Sequence, residues 1–225
     1  MKTVDTFYAV DFDRCLGNVD ACFGLLQEVI TDLTDVDMSE LMVARRHVEA
    51  TGETFLVFDY LASITTPENG ERIESEFIRR GQASAGSLLE PGARELIDWL
   101  TTAEKEFGII THGEQRWQIA KIKAAGLGDM PRMIASHKNK AAFVASWQND
   151  QGSFDIAASV FNGDPVHADH VVLIDDRAVA FEGLPAQARG YWVVIGGHVK
   201  PFQQGTLPAH VTRIERISDI ISYEK

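Results

Sequence analysis

Five short apolar runs recur along the chain, at residues 7–10, 107–111, 132–135, 171–174 and 191–195. None shows regular polar alternation, which is the pattern of strands covered on both faces. Helical patterns separate most of them. The segment 91–100 opens with Pro91, a residue suited to the first turn of a helix. Residues 115–125 stop at Gly126, a helix C-terminal signal, and 140–147 and 178–184 read as two more helices. Strands alternating with helices predict an α/β architecture, a Rossmann-like parallel sheet flanked by helices.

The stretch from Asn18 to about Leu88 breaks this rhythm. Cys22, Leu25, Leu26, Val29, Ile30 and Leu33 fall at helical spacing and form one apolar stripe. Segments 38–49, 55–64 and 71–80 also read as helices, with Pro67-Glu68-Asn69-Gly70 as a turn before the last. A helical insertion at the C-terminal edge of the first strand is positioned to act as a cap over a site there. The expected division is an α/β core of residues 1–17 and 89–225 and a helical cap of residues 18–88.

Net charge is −12, without a concentrated basic tract, which argues against bulk nucleic-acid binding. No apolar stretch approaches the roughly 20 residues that cross a bilayer, and the N-terminus shows no signal-peptide pattern. Cys15 and Cys22 lie close together without zinc-ligand spacing and read as two reduced thiols. The expectation is a cytoplasmic protein with neither membrane nor nucleic-acid partners, whose oligomeric state stays open.

The chemistry-bearing residues stand at strand ends. The first run ends in Asp11-Phe12-Asp13. Alternation sends Asp11 and Asp13 to one side, where two carboxylates repel each other unless a cation lies between them. The second run ends in Thr111-His112-Gly113, which offers a hydroxyl and small-residue backbone. Lys138 and Lys140 stand at the entrance to a helix. A later apolar run leads into Asp175-Asp176.

In this order, these motifs resemble those of the haloacid dehalogenase-like superfamily of phosphohydrolases. The likeness covers most of the chain, with the inserted helices placed as in members that carry a helical cap after the first motif. It implies a Mg²⁺-dependent phosphatase acting on a small phosphorylated metabolite. Asp11 would be the nucleophile that becomes an aspartyl phosphate, and Asp13 the proton-transfer group. Asp11, the Asp13 backbone carbonyl, Asp176 and Asp175 would hold Mg²⁺. Thr111 and the amides of His112 and Gly113 would hold phosphoryl oxygens, beside Phe12 in the loop, and a lysine would neutralise developing charge. Either Lys138 or Lys140 fits that role. Lys140 is favoured because it starts the apolar helical pattern of Ala141, Phe143, Val144 and Trp147.

A phosphotransferase or phosphomutase would use the same residues, and a non-catalytic phosphate-binding regulator is a reading from another class. Dehalogenation is disfavoured because Asp13 supplies a proton-transfer group that phosphate esters need. Cys15 stands where the superfamily usually has Thr or Val, at a position that mostly packs. His167 and His170 read as surface residues. Arg45, Arg46, His47, Arg79 and Arg80 read as solvated helix faces, with recognition of a second anionic substrate group as the sharper alternative. The segment 161–164 reads as a tight turn without an assigned function.

Overall fold

The first apolar run is the buried half of a longer strand, β1 (Lys2–Val10). In the computed structural model, which describes residues 1–51, 53–84, 86–195 and 207–225, β1 pairs in parallel with β2 (Glu106–His112) and β5 (Val166–Asp175). Gly52 and Ala85 of the predicted cap lie outside the described residues. β2 pairs in parallel with β3 (Arg132–Ala135), β5 with β6 (Arg189–Val193), and β6 with β7 (Val211–Ile214). The short β4 (Phe154–Ile156) joins β5 antiparallel, giving a seven-stranded sheet of order β3-β2-β1-β5-β6-β7 with β4 off that path. The fold is α/β and Rossmann-like, with a mostly parallel sheet flanked by helices.

Chain order explains where a site belongs. From β1 the chain builds outward through β2 and β3 on one side, then through β5, β6 and β7 on the other. The direction of winding reverses beside β1, and such switch points leave a crevice at the strands' C-terminal ends.

Both faces of the sheet are covered, as the missing polar alternation predicts. On one face Phe7 meets Trp147 edge-on at 6.5 Å and Phe161 at 5.1 Å. Gly108 of β2 lies under Phe161, where an added Cβ would come within 2.5 Å of the ring, so the aromatic packs directly on backbone. On the other face Tyr8 meets Trp99 of α5 (Ala93–Thr102) edge-on at 5.8 Å.

Between β1 and α5 run four helices: α1 (Val19–Leu33), α2 (Met38–Ala50), α3 (Val57–Ile64) and α4 (Pro67–Ala83). The segment 67–70 is the first turn of α4, not a turn preceding it. The Thr66 hydroxyl accepts a hydrogen bond from Asn69 N at 3.2 Å, and Pro67 sits where a helix has no use for an N–H. Gly70 lets α3 and α4 touch, since a Cβ there would lie 2.8 Å from Ala62 Cβ. These helices form a compact unit, 17–89, together with 113–129, which carries α6 (Gln115–Ala124). Trp117 of α6 is its aromatic centre, with ring contacts to Phe23, Phe58 and Phe77 at 5.5, 5.7 and 5.0 Å. The sheet unit comprises 1–16, 90–112 and 130–225.

In the sheet unit, α7 (Ala141–Trp147) and α8 (Ala158–Phe161) are short. The predicted tight turn at 161–164 is the end of α8, with Asn162 left-handed at φ 53°. The predicted helix at 178–184 is a single 3₁₀ turn, Ala178–Phe181. Gly183 at φ 78° and then Pro185 stop it from growing. Both cysteines are buried thiols, not joined in a disulfide. Among the described residues no helix is long and apolar enough to cross a membrane.

The chain closes with α9 (Ile220–Tyr223) and a carboxylate that ties down two strands. The Glu224 side chain is 3% exposed and accepts from Tyr8 Oη at 2.9 Å, Tyr191 Oη at 2.6 Å and Arg189 Nη2 at 3.0 Å. Glu224→Gln is expected to lower stability by about 2 kcal/mol, the scale for losing charge-assisted hydrogen bonds. Burial, and then the bond to Glu224, push both tyrosine hydroxyls well above the ordinary tyrosine value. A raised value means that the folded state keeps protons the unfolded chain releases above about pH 10, so stability is present below that pH and lost above it. Thermal melts from about pH 8 to 11 check this, because Tyr8→Phe/Tyr191→Phe should flatten the alkaline loss.

Candidate active site

Asp11 is the first residue past β1, and its backbone N–H extends the ladder by donating to Ile174 O at 2.9 Å. That bond fixes the carboxylate at the switch point. A tight turn follows, with Phe12 O accepting from Cys15 N at 3.3 Å and Leu16 N at 3.0 Å, and Arg14 in the left-handed region at φ 64°. A non-glycine residue there carries strain of about 1 kcal/mol. The turn buries the Phe12 and Cys15 side chains in the core and leaves Asp13 lining the pocket. Phe12 can therefore offer a ligand only its backbone.

Lys140 separates from Lys138 in the structure. Lys140 caps α7 and is buried, with Nζ 2.5 Å from Asp11 Oδ1 and 2.5 Å from Asp175 Oδ2. Lys138 lines the same pocket but is exposed. Asp175 ends β5, and its Oδ1 accepts from Arg177 N at 2.7 Å, so one carboxylate orients both the lysine and the following loop. One carboxylate oxygen each from Asp11, Asp175 and Asp176 lie within 4.8 Å of one another. The Asp13 carboxylate is not in this cluster, which leaves its backbone carbonyl as the predicted donor.

Burial raises the Asp11 carboxyl well above its ordinary value. The Lys140 charge opposes this, while Asp175, Asp176 and Asp13 add to it. Burial would lower the Lys140 ammonium, but Asp11 and Asp175 outweigh it and hold the proton firmly. Asp176 is pushed up to about 6 by burial and by the charge of Asp175, against Arg177, Lys140 and Arg14. Three carboxylates this close, with one ammonium between two of them, still hold more negative charge than the buried site can balance. The cluster has the donors and the charge for a hard cation.

Thr111 is fully buried at the end of β2, and its Oγ1 has no hydrogen-bond partner among the described residues. A buried hydroxyl without a partner costs free energy unless something else occupies its bonding direction. His112 also lines the pocket. Gly113 belongs by packing to the helical unit, where a Cβ would come within 2.4 Å of Gln118 Nε2. The pocket is open and is lined by Asp11, Asp13, His112, Lys138, Lys140, Asp175 and Arg177. Arg177 is the residue that sequence reasoning missed. Its only signal was position, directly after the acidic pair.

No family model matches the chain, and no curated protein does. Solved structures do. A provisionally assigned haloacid dehalogenase-like hydrolase from Burkholderia xenovorans LB400 is 17% identical over 97% of this chain and 95% of that chain, with TM-score 0.57. The fold is that of the haloacid dehalogenase-like hydrolases. A provisionally assigned beta-phosphoglucomutase from Thermotoga maritima matches this haloacid dehalogenase-like fold at TM-score 0.51, 14% identical over 100% of this chain and 98% of that one. A dehalogenase solved with an intermediate complex matches at TM-score 0.50 and 12% identity, over 98% of each chain.

The predicted surface residues are engaged in local contacts. His167 Nδ1 lies 2.6 Å from Asp155 Oδ1, and His170 Nδ1 lies 3.4 Å from Gln187 O. Arg79 and Arg80 both pair with Glu76, and Arg80 also reaches Asp32 at 2.6 Å. Arg45 lies 4.6 Å over the Phe23 ring.

Proposed function

We propose that the chain is a Mg²⁺-dependent phosphatase that hydrolyses a small phosphorylated metabolite through an aspartyl phosphate on Asp11. The observation that carries this reading is the Asp11 carboxylate at the switch point, gripped by Lys140 at 2.5 Å. The acidic cluster supports the reading, as does the buried Thr111 hydroxyl at the end of β2, which has no hydrogen-bond partner among the described residues.

In the first step an Asp11 oxygen attacks phosphorus as the bond to the leaving oxygen breaks, and Asp13 gives that oxygen its proton. In the second, Asp13 takes a proton from water, whose oxygen attacks the phosphorus of the aspartyl phosphate. Inorganic phosphate leaves and the Asp11 carboxylate is restored. Lys140 offsets the charge on the phosphoryl oxygens, Thr111 donates a hydrogen bond to one of them, and Asp175 keeps Lys140 in place. Asp11, Asp175 and Asp176, with the Asp13 carbonyl, would hold Mg²⁺, which supplies positive charge between the nucleophile and an anionic substrate. The helical unit would act as a cap that selects the substrate. Shortening that unit should then change kcat/KM ratios across a metabolite panel.

A screen of phosphorylated metabolites with Mg²⁺, repeated on Asp11→Asn, tests the reading. Product analysis with and without an acceptor alcohol separates hydrolysis from phosphoryl transfer. Activity should vanish in chelator, return with Mg²⁺ and be inhibited by Ca²⁺, which takes the same oxygens but favours higher coordination. Full turnover after exhaustive metal removal would count decisively against the site.

A further inference from the structure

The charge of the pocket changes with depth. Its floor is Lys140 shared between Asp11 and Asp175, all buried. Its mouth carries Lys138 and Arg177, both exposed, and the partly buried His112. Lys140 is already occupied by two carboxylates. Among the described residues Arg177 makes a loose pair, Nε to Asp176 Oδ1 at 3.8 Å, and its side chain stays 46% exposed.

The mouth is held in place by its surroundings. The His137 ring stacks on Phe143 at 4.4 Å and 14°, on one side of Lys138. On the other side, Asn139 Oδ1 accepts from Ala142 N at 3.3 Å and Nδ2 donates to Glu182 O at 3.1 Å. The second of these bonds ties the loop of Lys138 to the segment that follows Arg177. Arg177 is itself fixed through its backbone bond to Asp175. His112 lines the same pocket as Lys138, Lys140 and Arg177, and burial, followed by those charges, lowers its pKa.

The reaction described above uses neither the Lys138 nor the Arg177 side chain. Two cations and an imidazole line one concave rim on backbone held in this way, and a planar guanidinium suits a carboxylate or phosphate. We propose that this rim recognises a second anionic group of the substrate, a carboxylate or second phosphate a few bonds from the reacting phosphoryl group. The proposal rests on reading Asp11 as the reacting centre. It moves second-anion recognition away from Arg79, Arg80 and Arg45, which are engaged elsewhere.

Calorimetric titration of the full chain in Mg²⁺ with non-hydrolysable ligands tests it. Propylphosphonate is the reference. 3-Phosphonopropionate adds a carboxylate, and propane-1,3-bisphosphonate adds a second phosphonate. At least one doubly anionic ligand should bind about tenfold tighter than propylphosphonate, and the larger gain names the preferred group. In Lys138→Ala/Arg177→Ala, two exposed changes, that ratio should collapse to about one. A wild-type ratio near one for both ligands overturns the proposal, and so does a ratio that the double variant leaves intact. p-Nitrophenyl phosphate turnover, compared with Asp11→Asn, checks the phosphatase reading separately. Turnover with a ratio near one removes only the rim. A ratio that behaves as expected without turnover removes only the phosphatase reading. Absence of both removes both.

Discussion

Asp11→Asn is expected to lower kcat for every phosphate ester the protein hydrolyses by about 10⁴-fold or more, with little change in thermal stability. The amide keeps the shape of the side chain but is too weak a nucleophile to displace the leaving group. Stability should hold because the substitution removes a buried carboxylate that three neighbouring carboxylates disfavour, while Lys140 keeps its 2.5 Å partner in Asp175. Kinetics on a metabolite ester, with melts of both proteins in chelator, provide the check. Near-normal kcat in a folded variant would remove Asp11 as nucleophile. Asp13→Asn should lose about 10²–10⁴-fold, the range for one proton-transfer group.

Lys140→Met should have the largest effect on stability. Without the ammonium, Asp11 and Asp175 are left buried together with no cation between them. Breaking a buried ion pair by removing one partner costs about 3–5 kcal/mol. For a chain of this size that lowers Tm by on the order of 10 °C. Melts in chelator isolate the effect, because a bound divalent cation would replace part of the lost charge. Adding Asp11→Asn to Lys140→Met should recover a large part of the loss, and the double-mutant cycle measures the coupling. An unchanged Tm for Lys140→Met would mean that the three groups do not share one buried site.

The expected strands at 7–10, 107–111, 132–135 and 171–174 lie within β1, β2, β3 and β5, whereas the last strand ends at Val193, short of 195. The largely apolar character of the runs in β1 and β5 is itself the mark of burial on both faces, whereas β3, which starts at Arg132, is only partly buried. β4 and β7 escaped notice for the opposite reason. Phe154-Asp155-Ile156 and Val211-Thr212-Arg213-Ile214 are short and carry polar residues, and they are strands because β5 and β6 offer them paired edges. The pairing lies outside their own sequences. Glu224 stands just past α9 and is placed against Tyr8 and Tyr191 by contacts more than thirty positions away.

The candidate site divides in the same way. Asp11, Thr111 and Asp175 each close an apolar run, so the sequence by itself put them at one edge of the sheet, where parallel strands end together. It also supplied the helical insertion after the first strand. Tertiary structure set the surroundings of the two lysines apart. It buried Lys140 between Asp11 and Asp175, 129 and 35 positions away, and left Lys138 at the mouth with Arg177. It also placed α6 with the helical unit, through the contacts of Trp117. Spacing along the chain fixes which face of an element a residue occupies, because backbone periodicity is local. Which distant group meets that face depends on how whole elements pack, and no local pattern encodes it.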